Sequence, residues 1–243
     1  MQNRIQGILN RVEKYPAIKS LLFYFYDLSG FRTLRNKINS KPLRTYGSES
    51  LLKAKIALDS IDVLFWIDFG TLLGAVRDNN FIKGDLDVDI SMFLKDYSPK
   101  IATAMEEAGF KLISEIKIDH GQYGLEQTYD YKGLNLDIFF YTIAQDKMYM
   151  HAFMPYPPAV TMTESMLNKG GVLPIEQYLP YTGFKKTSLF GLEFTIPKDE
   201  HKHLSYHYGD DYLIPRKWNY RNLVSDNVNA SFLQNKPGIL KVL

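Results

Sequence analysis

Residues 84–90 read Gly-Asp-Leu-Asp-Val-Asp-Ile, and this run constrains the fold more than any other part of the chain. Asp85, Asp87 and Asp89 alternate with Leu86, Val88 and Ile90. Period-two alternation predicts a half-buried strand. Successive side chains of a strand point to opposite faces, so the three carboxylates share one face and the three aliphatics the other. Two unit charges about 4 Å apart interact by roughly 4 kcal/mol at an effective dielectric near 20. Three acids on one face therefore call for a hard, oxygen-seeking cation such as Mg²⁺ (or Mn²⁺) among them. Two other readings stay open. One is a solvated acidic face. The other is an EF-hand loop, with Asp85, Asp87, Asp89 and Asp96 at positions 1, 3, 5 and 12; it lacks the required glycine, replaced by Ile90, and the alternation reads as strand rather than loop.

Around that strand the pattern is α+β. Ser48 can cap a helix running to about residue 61, and residues 63–67 form an apolar, β-rich run. Asp68-Phe69-Gly70-Thr71 is a turn into a short helix over residues 72–77. Ser98-Pro99 opens another helix, which Gly109 closes. Residues 110–118, 122–129 and 134–141 read as strands, with Asp130-Tyr131-Lys132-Gly133 as the hairpin turn between the last two. From about residue 154, Pro155, Pro157, Pro158, Gly170 and Gly171 mark loops. Residues 188–196 read as a strand, 199–208 as a helix stopped at Gly209, and the last twenty or so residues as peripheral. The expected fold is a mixed sheet flanked by helices, in three parts: a basic helical arm (1–46), a catalytic core (47–153) and a C-terminal extension with helical additions packing on the core (154–243).

The arm differs in charge from the rest. Within an overall net charge of +2, residues 1–46 hold nine Lys or Arg against Glu13 and Asp27, a net +7 that leaves −5 for the remainder. Ile5, Ile8, Leu9 and Val12 form one amphipathic stripe, and after Pro16 a second follows through Ile18, Leu21, Leu22 and Phe25. Such a segment either packs between other elements or lies in a membrane interface. No nucleic-acid motif accompanies the basic residues. An anionic membrane surface fits them better, each Lys or Arg near it being worth about 1 kcal/mol. No apolar run approaches the ~20 residues of a membrane span, and the first residues lack the apolar core of a signal peptide. With no cysteine for disulfides or thiolate metal sites, the expectation is a cytoplasmic protein, peripheral on the inner face of the membrane.

Two further features extend the acidic strand into a site. In residues 134–139, Leu134, Leu136 and Ile138 point one way and Asn135, Asp137 and Phe139 the other. If this strand lies beside the acidic one, Asp137 joins the carboxylate face; otherwise it is an exposed edge acid. Gly70-Thr71 before a helix is the other half of a phosphate site. Glycine lets backbone N–H groups approach a phosphate, and the helix adds its positive N-terminus. Arg77, later on that helix, either assists or forms a structural salt bridge. His203 and His207 are four apart, as metal-binding pairs are, yet no nearby acid completes a zinc set, so complementation of the helix C-terminus is the expected role. Lys185-Lys186 either contact phosphate or are solvated.

The run Asp68-Phe69-Gly70-Thr71-Leu72-Leu73-Gly74-Ala75-Val76-Arg77, followed by Phe81-Ile82 and Asp85-x-Asp87-x-Asp89, resembles the signature of the LicD family. That family includes bacterial phosphocholine transferases and, more distantly, fukutin and fukutin-related protein. The resemblance continues through Leu136-Asp137-Ile138-Phe139, Phe190-Gly191, Ile196-Pro197 and Tyr208-Gly209-Asp210-Asp211-Tyr212 with Pro215, roughly over residues 47–216. It implies a nucleotidyltransferase-like fold. It also implies a metal-dependent transfer of a phosphorylated alcohol, such as phosphocholine or a polyol phosphate, from a CDP-linked donor to a sugar hydroxyl of a cell-surface glycan, which in this reading is lipid-linked at the membrane. CMP would be the second product. On that resemblance Asp87 and Asp89 are the metal ligands, with Asp85 as a further ligand or a neighbour supporting them. Asp137 is the general base or a ligand of a second metal, and Gly70, Thr71 and Arg77 bind the donor. The alternatives are a nucleotidylyltransferase that releases pyrophosphate, and a non-catalytic relative that binds metal or glycan.

Overall fold

The computed structural model describes residues 40–157, 159, 161–215 and 230–243. The chain divides into two units between Lys41 and Pro42, and the elements described here build the second. The amphipathic stripes expected in the basic arm, and with them its membrane role, lie outside the described residues.

Helix α1 (Lys41–Ser60) leads into strand β1 (Phe65–Ile67), helix α2 (Phe69–Asp78) and strand β2 (Asp87–Phe93). Helix α3 (Pro99–Glu107) precedes three antiparallel-connected strands, β3 (Lys111–Ile118), β4 (Gly124–Tyr131) and β5 (Leu134–Ala144), and then β6 (Lys147–Met154). Helix α4 (Met162–Lys169), strands β7 (Leu173–Pro180), β8 (Phe184–Leu189) and β9 (Leu192–Pro197), helix α5 (Glu200–Tyr208), and strands β10 (Ala230–Phe232) and β11 (Ile239–Val242) complete the chain. The fold is α+β, as expected from the sequence.

Nine strands join in one sheet, and β8–β9 is a separate hairpin. The pairings are antiparallel except one: β2 runs parallel to β5. Strand β5 organises the sheet. Residues 134–139 pair with β4, residues 135–141 pair with β2 on the other edge, and residues 142–144 pair with β6. One face of β2 and β5 is the core. Val88, Ile90, Leu136 and Ile138 are fully buried there against Leu51 and Leu58 of α1, Leu72 of α2 and Ile101 of α3. The opposite face holds the acids.

Local signals explain most helix ends. Ser98 caps α3 by accepting from Lys100 N–H with Pro99 in the first turn, and Gly109 follows at φ +95°. Several boundaries differ from expectation. Helix α1 begins at Lys41, not after Ser48; Pro42 sits in its first turn, where its missing N–H costs nothing. The acidic strand begins at Asp87. Asp85 precedes it in irregular backbone and Leu86 is 45% exposed, so the alternation does not reach back to residue 84. The run 188–196 is two strands, because Phe190 and Gly191 both take positive φ and turn the chain back. Among the described residues the C-terminal part supplies α4 and α5 but also five strands, three of which, β7, β10 and β11, widen the main sheet. Among the described residues no helix is long and apolar enough to cross a membrane.

Candidate active site

The parallel pairing of β2 with β5 puts Asp87 opposite Asn135 and Asp89 opposite Asp137. Carboxylate oxygens of Asp87, Asp89 and Asp137 lie within 4.8 Å of one another. The fourth acid therefore joins the face, and it is not an edge group: β4 covers the far side of β5, with Thr128 opposite Asp137. Asp137 Oδ1 is buried and has no hydrogen-bond partner. An orphaned carboxylate oxygen aimed among other acids is the environment a hard cation satisfies.

Helix α2 closes the site from above. Gly70 N–H donates to Asp89 Oδ2 at 2.9 Å, and Asp89 N–H donates to Thr71 Oγ1 at 2.9 Å. Thr71 is buried, so its hydroxyl ties the helix start to β2. A Cβ on Gly70 would come within 2.6 Å of Asp85 Oδ2 and 3.0 Å of Asp89 Oδ2. Only glycine lets the helix N-terminus press this closely on the carboxylates. The preceding Phe69 takes φ 43°. For a bulky residue that conformation is strained, and such strain concentrates at functional sites.

Electrostatics bear out the crowding. Burial, with the charge of Asp87 behind it, pushes Asp85 up to about 7. Burial likewise raises Asp87, and raises Asp89 well above the carboxylate range with help from Asp87, Asp85 and Asp137. Burial pushes Asp137 up to about 7, opposed by a hydrogen bond from Thr128. A fifth acid, Glu126, is raised well above its ordinary value by burial and by Asp137. It lies two residues from Thr128 on β4, on the acidic face. The alternation Glu126-x-Thr128 was the available signal for it in the sequence.

The acids floor a cleft of about 940 Å³, a size that suits a nucleotide-like ligand. Gly70, Asp85, Asp87 and Asp89 line its base. Leu73, Phe81, Tyr208 and Tyr212 form apolar walls, and Arg77 and Lys83 bring positive charge. Arg77 reaches the cleft while paired to Asp78 at 2.9 Å. Lys185 and Lys186 are elsewhere: Lys185 pairs with Glu200, and Lys186 donates to Thr195 Oγ1.

The histidines of α5 depart from expectation. His203 and His207 are buried rather than placed to complement the helix end. The acid they lacked in sequence is Asp68, 135 residues from His203. His203 Nε2 lies 2.7 Å from Asp68 Oδ1 and 3.2 Å from His207 Nε2, while His203 Nδ1 is buried without a partner. Asp68 caps α2 through Phe69 N–H and also accepts from Trp66 Nε1 and Ser91 Oγ. Burial pushes Asp68 up, but His203, His207 and Ser91 outweigh it and hold it below the usual carboxylate range. Asp68 N–H donates to the Asp89 carbonyl, which joins this network to the acidic strand.

Residues 62–179 match the model of the LicD/FKTN/FKRP nucleotidyltransferase domain. This segment contains Gly70, Asp85, the two acids of β2 and Asp137. The chain is 28% identical over 193 residues to ribitol-5-phosphate transferase FKTN of Macaca fascicularis, covering 76% of this chain and 37% of that protein. The Homo sapiens protein of that name is 27% identical over 193 residues, with the same coverage of 76% and 37%. The Mus musculus protein is 33% identical over 115 residues, 47% of this chain and 24% of that protein. The chain thus spans little more than a third of the length of the Macaca fascicularis and Homo sapiens proteins and about a quarter of the Mus musculus one. The domain match and the motif it contains show that residues 62–179 resemble the LicD/FKTN/FKRP nucleotidyltransferase domain, and the relatives extend that likeness over 193 residues.

Proposed function

We propose that this protein transfers a phosphorylated alcohol from a CDP-linked donor to a sugar hydroxyl of a glycan, releasing CMP. The observation that carries the reading is the convergence of Asp87, Asp89 and Asp137, the first two lining the base of a large cleft beside the start of α2, inside the segment that matches the family domain. The names of the FKTN relatives point to ribitol 5-phosphate as one candidate group.

The three aspartates fit a divalent metal, Mg²⁺ or Mn²⁺, with Asp85 as an additional or supporting acid. Bound there, it would offset the negative charge of the donor phosphates. The chain's own residues do the rest. The N-terminus of α2, its Gly70 N–H already given to Asp89, turns its positive end toward the diphosphate. Arg77 and Lys83 at the rim add positive charge. Tyr208, Tyr212 and Phe81 offer apolar surface to the nucleoside. The acceptor hydroxyl attacks the phosphorus that bears the alcohol, in line with the departing CMP oxygen, and its proton passes to a carboxylate of the acidic face. Asp137 is suited to that role, being half-buried and unsatisfied at Oδ1. Positioning and charge stabilisation supply most of the rate in such reactions.

The test is incubation with a panel of CDP-alcohols and a glycan acceptor, with and without EDTA, scored for released nucleotide. CMP release that EDTA abolishes is expected. Pyrophosphate release from an NTP would instead identify a nucleotidylyltransferase. Metal binding without turnover on any donor would identify a non-catalytic relative.

A further inference from the structure

Three donor atoms of the buried network around α5 are arranged as a metal ion would arrange them. The distances are 2.7 Å from Asp68 Oδ1 to His203 Nε2, 3.2 Å from His203 Nε2 to His207 Nε2, and 3.9 Å from His207 Nε2 to Asp68 Oδ1. Their mean, about 3.3 Å, is the separation between ligands of a tetrahedral ion with bonds of about 2.0 Å, so small side-chain shifts would bring all three onto a zinc ion. A fourth donor is at hand, since Tyr141 Oη is 3.2 Å from His207 Nε2.

The surroundings orient His207 toward this point. Gln177 Nε2 donates to the Tyr206 carbonyl, which turns Gln177 Oε1 toward His207 Nδ1 at 2.9 Å. His207 Nδ1 is thereby the donor, and its Nε2 lone pair faces the cluster. A histidine whose far nitrogen donates to a fixed oxygen is the usual arrangement of a metal ligand. Spacing agrees: His203 and His207 lie one turn apart on one face of α5, and Asp68 comes from a different element. All three ligand residues are buried, at 0%, 3% and 2% exposure, and of the three only His207 borders the cleft, so the site is nearly closed, as structural zinc sites are.

We propose that Asp68, His203 and His207, with Tyr141 beside them, form a structural site for a zinc-class ion, separate from the carboxylates of β2 and β5. Asp68 caps α2, and α5 leads into the cleft wall at Tyr208 and Tyr212. An ion here clamps the wall of the cleft to the loop that carries Gly70. The inference does not depend on which reaction the cleft performs.

The test is metal content and cobalt spectroscopy of the whole chain. Protein refolded with zinc, then exchanged into zinc-free buffer containing Mg²⁺, is expected to keep about one zinc per chain. His203→Gln and His207→Gln should lose it, while Asp87→Asn, altered only in the acidic cluster, should keep it. Should the histidine variants fail to fold, the wild-type protein still decides. Refolded with Co²⁺, it should show the intense visible bands of a four-coordinate ion rather than the weak ones of a six-coordinate, all-oxygen site. Wild-type protein that retains no zinc, shows only six-coordinate cobalt, or loses its zinc through Asp87→Asn instead would overturn the proposal.

Discussion

Asp89 and Asp137 sit directly opposite each other on adjacent parallel strands, in the single parallel pairing among the described strands of the sheet. Neighbouring strands lie about 4.8 Å apart, so two same-face carboxylates at paired positions are forced close together. Like charges so placed destabilise the fold on their own. In the proposed reading a cation entering after, or with, folding relieves that repulsion.

The first prediction follows from that repulsion. Asp87→Asn and Asp89→Asn should each abolish turnover in the donor assay and leave the fold intact. In EDTA each variant should melt at or above the wild-type temperature. A gain of about 1 kcal/mol corresponds to roughly 2–4 °C for a domain of this size. With Mg²⁺ in excess the order should reverse, because only the wild type gains from binding. A variant with full activity, or one that melts well below wild type in EDTA, would count against the carboxylate site.

The raised acids also give stability a pH signature. Folded and metal-free, Asp85 and Asp137 keep their protons up to about pH 7, whereas an unfolded aspartate loses its proton near pH 4. Between those limits the folded state binds more protons. This contribution is therefore fully present below about pH 4 and is lost as pH rises to about 7. His207 acts in the opposite sense. Burial and His203 lower it to about 3, so its contribution is full above about pH 6.5 and is lost as pH falls. The carboxylate part is isolated by urea unfolding of wild type and Asp137→Asn in EDTA. The stability of the variant relative to wild type should rise between pH 4 and pH 7, and saturating Mg²⁺ should remove that rise. A flat difference would mean that Asp137 titrates as an ordinary acid.

Local signals in the sequence were enough to place the acidic strand, α3 with its Ser98–Pro99 start, and the phase of Asp137. Each depends on residues within one turn or one strand, where side-chain spacing decides the outcome. What the sequence did not show depends on contacts between distant segments. Asp68 reads as a turn residue until the fold brings α5 across it, so the pair His203 and His207 looked incomplete. Strands β6 and β7 escaped notice because both faces of each are largely buried, which removes the alternation that marks a half-exposed strand. Glu126 is a different case: the hairpin turn at residues 130–133 already set β4 beside the strand carrying Asp137, but the register that puts Glu126 and Thr128 on the acidic face, and the burial of Glu126 there, come only from the fold.

Asp137→Asn separates a chemical role from a structural one. If the carboxylate takes the acceptor proton, kcat should fall roughly 10²–10⁴-fold with donor affinity little changed. If it holds metal, the Mg²⁺ concentration for half-activation should rise as well. A titration of activity against Mg²⁺ at saturating donor distinguishes the two. A folded variant with near-normal kcat at every Mg²⁺ concentration would remove Asp137 from the chemistry.

Gly70→Ala tests whether close approach of α2 to the acids is what the glycine provides. Gly70 is the second residue of α2 and does not take a positive φ. Alanine is a better helix former than glycine by about 1 kcal/mol, so on propensity alone the variant should be as stable as wild type or more so. The new Cβ, however, would stand 2.6 Å from Asp85 Oδ2 and 3.0 Å from Asp89 Oδ2. Those carboxyls are side-chain ends and can swing away, so the fold survives while the ligand geometry does not. A misplacement of about 1 Å in reacting or ligating atoms can cost on the order of 10²-fold in rate. The expected variant is therefore folded and thermally sound, with kcat/KM reduced about 10²-fold and weaker activation by Mg²⁺. Thermal melting and Mg²⁺-dependent CMP release, measured on the same preparation, check both halves. Unchanged activity would show that the helix start and the carboxylates do not act as one unit. Loss of stability in proportion to activity would show that Gly70 serves packing alone.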